Sequence, residues 1–114
     1  MDEYFGIEIK DDAEGVLQDV HWYGGNLGYF PDYALGNIYN GQMLNEMQKT
    51  IPDWNDQLKI GNATNILQWL KDNVHQKGFL HDPADLVKEI TGELPDAKYF
   101  VKYMNEKFTK IYGI

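Results

Sequence analysis

The sequence predicts an all-α fold of about four helices behind an N-terminal glycine-rich ordered loop. Apolar residues recur at helical spacing in four separate stretches, and residues that start and stop helices bracket those stretches. Strict alternation of apolar and polar residues is confined to the neighbourhood of Ile7 and Ile9, which could be a short extended piece.

Residues 1–5 read as the last turn of a helix, with Gly6 placed as a C′ glycine, which implies further chain upstream. From Gly15 to Gly28, the glycines at 15, 24, 25 and 28 oppose a long regular element, so this segment is expected to be a loop. Pro31 suits the first turn of a helix running to about Thr50, with Leu35, Ile38, Tyr39, Leu44 and Met47 as its apolar positions. Gly36 and Gly41 weaken that helix and suggest close approach of another one. Asn62 is a candidate N-cap for a helix over 63–76, whose Ile66, Leu67, Leu70 and Val74 share a face, with Gly78 as the stop. Asp82 and Pro83 open a short helix to Ile90, closed near Gly92. A last helix over 96–112 sets Phe100, Tyr103, Met104, Phe108 and Ile111 along one stripe.

At 114 residues the chain has the length of one domain, and 43% hydrophobic with 14% aromatic residues is a globular composition. The formal net charge of −8 repels phosphate backbones and anionic lipid heads, which argues against nucleic-acid or membrane-surface partners. Having no cysteine, the chain can form no disulfide, thiolate zinc site or thiol nucleophile. The start, MDEYFGIEIKDD, lacks the pattern of a signal peptide, and no apolar run is long enough to span a bilayer, so a cytoplasmic location is expected.

The chemistry concentrates in GVLQDVHWYGGNLGYFPDYALG, residues 15–36. Asp19 and His21, two residues apart, would share one side of an extended segment, where the carboxylate fixes the imidazole tautomer. Tyr29 and Tyr33 add phenolic donors of the kind that stabilise oxyanions. The same residues also suit a structural hydrogen bond and aromatic packing at a turn. His75 and His81 suit solvated or dipole-stabilising positions, and the three histidines form no recognisable metal-ligand set. Neither a phosphate-binding glycine loop nor a Gly-x-Ser-x-Gly elbow occurs.

GVLQDVHW, from Gly15 to Trp22, resembles the Gly-x-x-Gln-Asp-x-His-Trp signature of the M32 metallocarboxypeptidases, the carboxypeptidase Taq type. The resemblance continues through GYFPDYALGNIY, ILQWLKDNVHQKG, LVKEITGE and YFVKYMNEKFTKIYG, covering nearly the whole chain. Tyr23, Leu27, Asp32 and the pair Asn40 and Gly41 depart from the family's usual serine, aromatic, threonine and small alanines.

Residues 1–114 would then be one C-terminal fragment of a larger helical metallopeptidase fold, with 15–36 as cleft wall and 31–112 as the helical region. The family's His-Glu-x-x-His zinc motif lies upstream of the signature and is not in this sequence. The resemblance thus implies a zinc-dependent enzyme that removes C-terminal residues from peptides, with no metal ligand or cofactor in this chain and no activity by this chain alone. It also implies roles for single residues. His21 would stabilise an oxyanion, Tyr29 or Tyr33 would be a second donor or contact the substrate's C-terminal end, Asp19 would orient His21, and Gln18 and Trp22 would contact substrate or support the loop. Peptide C-termini, the missing N-terminal portion and a second copy of the chain are the expected partners. A non-catalytic peptide- or partner-binding module, or one half of a split enzyme, are the alternatives.

Overall fold

The computed structural model describes residues 2–113, and of Asp2 and Phe5 the backbone alone. Among these residues every regular element is helical. They fall into two compact units, one ending at Ala34 and the other starting at Leu35.

In the first unit, α1 (Asp2–Phe5) ends at Gly6, whose φ of +62° is the left-handed conformation expected of a C′ glycine. Met1, included in the expected helical turn, lies outside the described residues. Residues 7–10 form no strand. The segment expected to be a loop contains a 3₁₀ turn, Val16–Gln18, and a one-turn helix α2, Val20–Tyr23. Asp19 separates them and caps α2. The expected extended run through Asp19 and His21 is therefore corrected: Asp19 alone is extended and His21 is helical.

The second unit contains most of α3 (Pro31–Thr50), then α4 (Trp54–Lys59), α5 (Thr64–Asn73), α6 (Pro83–Thr91) and α7 (Lys98–Tyr112). Pro31 opens α3 as its position predicts, since a first-turn residue needs no N–H. Sequence spacing did not anticipate α4. It lies between Pro52 and Gly61, and its first turn is fastened by Asp53, whose carbonyl accepts the Asp56 and Gln57 N–H groups. α5 starts one residue later than expected, with Ala63 in place of Asn62 at the N-cap position, while the Asn62 side chain just before it accepts the Thr64 N–H at 3.0 Å. This helix stops at Asn73, short of Gln76, because Val74 leaves helical angles and a 3₁₀ turn, His75–Lys77, follows. Asp82 stands before Pro83 without a side-chain cap bond, and Gly92 closes α6 in the left-handed conformation. α7 begins two residues later than expected, with the Asp96 carboxylate accepting the Lys98 N–H at 2.8 Å.

Met47, Ile51 and Trp69 form the core of this unit, with Met43, Leu44, Trp54, Ile66, Leu70, Val74 and Ile90 packed against them. Of the apolar positions expected on α3, only Met47 is buried, and Leu35 is exposed. The other buried positions on α3 are Gly41 and Gln42. A Cβ on Gly41 would lie 2.8 Å from Phe100 Cα, so the missing side chain lets α3 and α7 touch backbone to backbone. Gly36 has nothing within 4 Å of that position, and close packing there is not observed. Gln42, 1% exposed, binds the segment joining α6 to α7: its amide donates to Thr91 Oγ1 at 2.9 Å, and its oxygen accepts the Asp96 N–H at 2.9 Å.

Candidate functional site

The Asp19–His21 pair meets through capping geometry. Asp19, at φ −89° and ψ 103°, precedes the first turn of α2 and turns its carboxylate back over it. One oxygen, Oδ1, accepts both the His21 backbone N–H and the His21 ring Nδ1–H, each at 2.9 Å. These bonds, the backbone one foremost, hold the Asp19 carboxyl below its ordinary pKa against the opposing effect of partial burial. An ionised carboxylate only accepts, so the shared bond places the ring proton on Nδ1.

The other ring nitrogen, Nε2, lies 3.2 Å from the Tyr33 hydroxyl, which the first turn of α3 brings to it. Tyr29 stacks on the imidazole at 5.3 Å between centroids and 22° between planes. Phe30 meets the same ring edge-on at 5.8 Å. Phe30 and Tyr33 also pack edge to face, so the four rings form one cluster within the first unit. The Asn26 N–H donates to the His21 carbonyl at 2.7 Å and the Tyr29 N–H to the Asn26 carbonyl at 3.3 Å, which leads the chain back from α2 to the aromatic residues.

Of the residues the sequence singles out, Asp19, His21, Tyr29 and Tyr33 are brought together. Gln18 is spent on the loop, its amide donating to the Ala13 carbonyl at 2.5 Å. Trp22 is half exposed and makes no ring pair with the cluster among the described residues. Phe30 was not singled out; the Tyr-Phe-Pro run preceding α3 was the signal that could have found it. A groove of about 470 Å³ borders the site, lined by Val16, Val20, Trp22 and Phe30 with the polar edge of Asp19 and His21.

The arrangement can hold an imidazole in one tautomer and present phenolic hydroxyls beside an apolar groove. It does not suit a metal ion, because both imidazole nitrogens are already paired. No group of three His, Cys, Asp or Glu side chains among the described residues is placed to hold one. His81 instead pairs with Glu89 at 3.1 Å, beside Lys77 on the same carboxylate, and His75 is exposed. No described helix is long and apolar enough to cross a membrane.

Residues 1–108 match the family model described as carboxypeptidase Taq (M32) metallopeptidase. Carboxypeptidase 1 of Bacillus subtilis (strain 168) is 42% identical over 110 residues, which are 96% of this chain and 22% of that enzyme. Thermostable carboxypeptidase 1 of Pyrococcus furiosus is 36% identical over 108 residues, 95% of this chain and again 22% of the relative. Among solved structures, that described as BsuCP superposes with a TM-score of 0.82 at 41% identity, and that described as CHT with 0.83 at 38%. They match 96% and 94% of this chain, in each case against 22% of the solved chain. The chain thus spans 22% of the length of the curated relatives it matches. With the family's sequence pattern over residues 1–108 and its helical fold over nearly its whole length, the chain belongs to the M32 metallocarboxypeptidase family, of which it represents the C-terminal portion.

Proposed function

We propose that this chain supplies one wall of the substrate cleft of a cytoplasmic metallocarboxypeptidase that removes residues from peptide C-termini. The observation that carries this reading is the hydrogen-bonded series Asp19, His21 and Tyr33, set under the Tyr29 ring beside an apolar groove. The hydrogen-bonded cluster of His21 and the tyrosines stabilises negative charge on a substrate oxygen, either the developing oxyanion or the terminal carboxylate. Asp19 orients His21, Gln18 anchors the loop, and Trp22 offers its exposed face to the peptide. Zinc, or another divalent metal, is held by residues outside this chain, so the chain alone is inactive and the missing N-terminal portion is its principal partner.

Peptide release tests this directly, using the purified chain alone and the chain mixed with the N-terminal remainder of the 42% identical Bacillus subtilis relative. The expected outcome is release by the mixture and none by either part. Metal-dependent release by this chain alone would overturn the proposal. Peptide binding without release by the mixture would assign the chain to a non-catalytic binding role instead.

A further inference from the structure

Building on the cleft-wall reading, we propose that Tyr33 is the residue that meets the substrate, its hydroxyl donating to an anionic oxygen, and that His21 is a positioning residue acting through it. His21 has no polar ring atom to offer. Asp19 occupies Nδ1 at 2.9 Å and Tyr33 occupies Nε2 at 3.2 Å, while Tyr29 covers one face of the ring and Phe30 abuts it. The His21 side chain is only 19% exposed, whereas Tyr33 is 52% exposed. A substrate oxygen can therefore approach the end of the series, at Tyr33 Oη, more readily than its middle.

The direction of the series follows from donor and acceptor inventories. With Asp19 fixing a proton on Nδ1, a neutral His21 offers a lone pair at Nε2, and the Tyr33 O–H donates to it. The hydroxyl then shows only lone pairs outward and accepts. When Nε2 takes up a proton from hydronium or a buffer acid, Nε2–H donates to Tyr33 Oη, and the Tyr33 O–H is free to donate to an anionic oxygen. Binding such an oxygen favours that second arrangement, because the added positive charge lies just beyond the Tyr33 hydroxyl, two hydrogen bonds from the anion. The titratable groups facing His21 among the described residues are Asp19, Tyr29 and Tyr33, and no lysine is among them.

Two measurements test this. In the chain itself, nitrogen NMR of labelled histidine should show neutral His21 protonated at Nδ1. Its Nε2 resonance should move in Tyr33→Phe, a change that keeps the ring packing and with it the fold. A neutral ring protonated at Nε2, or an Nε2 resonance that Tyr33→Phe leaves in place, overturns the series. In the peptide-release mixture, Tyr33→Phe and His21→Gln should each lower kcat about 100-fold with little change in KM, and the double variant should be no worse. Losses that multiply would show that His21 acts independently of Tyr33. A wild-type mixture that releases nothing counts against the cleft-wall reading, and the NMR result still decides the series.

Discussion

Gly41 and Gly36 stand on the same helix, and a methyl group has opposite consequences at the two. At Gly41 the new carbon would meet the Phe100 backbone at 2.8 Å, and a backbone cannot move aside as a side chain does. Gly41→Ala should lower stability by about 1 to 3 kcal/mol, whereas Gly36→Ala, with open space around it, should raise it by about 0.5 to 1 kcal/mol. Chemical denaturation of the two variants checks both signs. Both glycines are legible in the sequence as weak points of a helix, but only the fold distinguishes a contact from an open surface. His21 has the same history. Its neighbour Asp19 could be read from the sequence, while the reason they meet, an N-cap, requires knowing that α2 starts at Val20. The bond from Tyr33 spans twelve residues and no local pattern reports it.

At the scale of elements, start and stop residues carried most of the prediction. Pro31, Asn62, Pro83 and Gly92 act within a residue of where the sequence places them, because each either removes an unsatisfied backbone donor, accepts one, or supplies a left-handed angle at low cost. α4 escaped notice because six residues are too few to show helical periodicity. Gln42 escaped because a polar residue on a helix reads as solvated, although here it is buried and satisfies the segment between α6 and α7. Gln42→Leu should strand the Asp96 N–H and cost about 3 kcal/mol, and accelerated amide exchange in residues 91–97 would locate the damage. That segment also carries a pH dependence. Hydrogen bonds from Tyr99 and Lys98 lower the Glu93 pKa, and the Lys98 backbone and side chain lower that of Asp96. A lowered carboxyl pKa gives stability that is present above the unfolded value and lost as pH falls through the folded one. The thermal unfolding midpoint should therefore fall as pH drops from about 5 to about 2, and fall less steeply in Glu93→Gln. Tyr99, raised chiefly by its bond to Glu93, has the opposite sign, and its contribution disappears as pH rises past the ordinary tyrosine range.

For the molecule as a whole, the all-α class and the family were legible because capping residues and a dense motif are local features of the sequence. Which apolar side chains would stay exposed was not, since helical spacing marks a face without saying what covers it. The buried apolar side chains among the described residues are Met47, Ile51, Trp69 and Val87. Phe79 at 95%, Leu80 at 79% and Ile60 at 80% exposure show large apolar groups left to solvent. Phe108 and Ile111 on α7, expected on its buried stripe, are exposed as well. Such groups favour association by removing apolar area from water, at about 25 cal/mol per Å². The net charge of −8 opposes it, since like-charged copies repel. Charge repulsion is screened by salt while apolar burial is not, so the balance should tip with ionic strength. Sedimentation should show the isolated chain increasingly associated with rising concentration, and more so at about 0.5 M than at about 0.05 M salt. If the apolar groups are those that face the rest of the fold in its longer relatives, adding the N-terminal remainder of such a relative should reverse both the association and the binding of a hydrophobic dye. A chain that stays monomeric at all concentrations and binds no dye would contradict this account. Association that weakens with salt would mean that ion pairs, not apolar surface, hold the copies together.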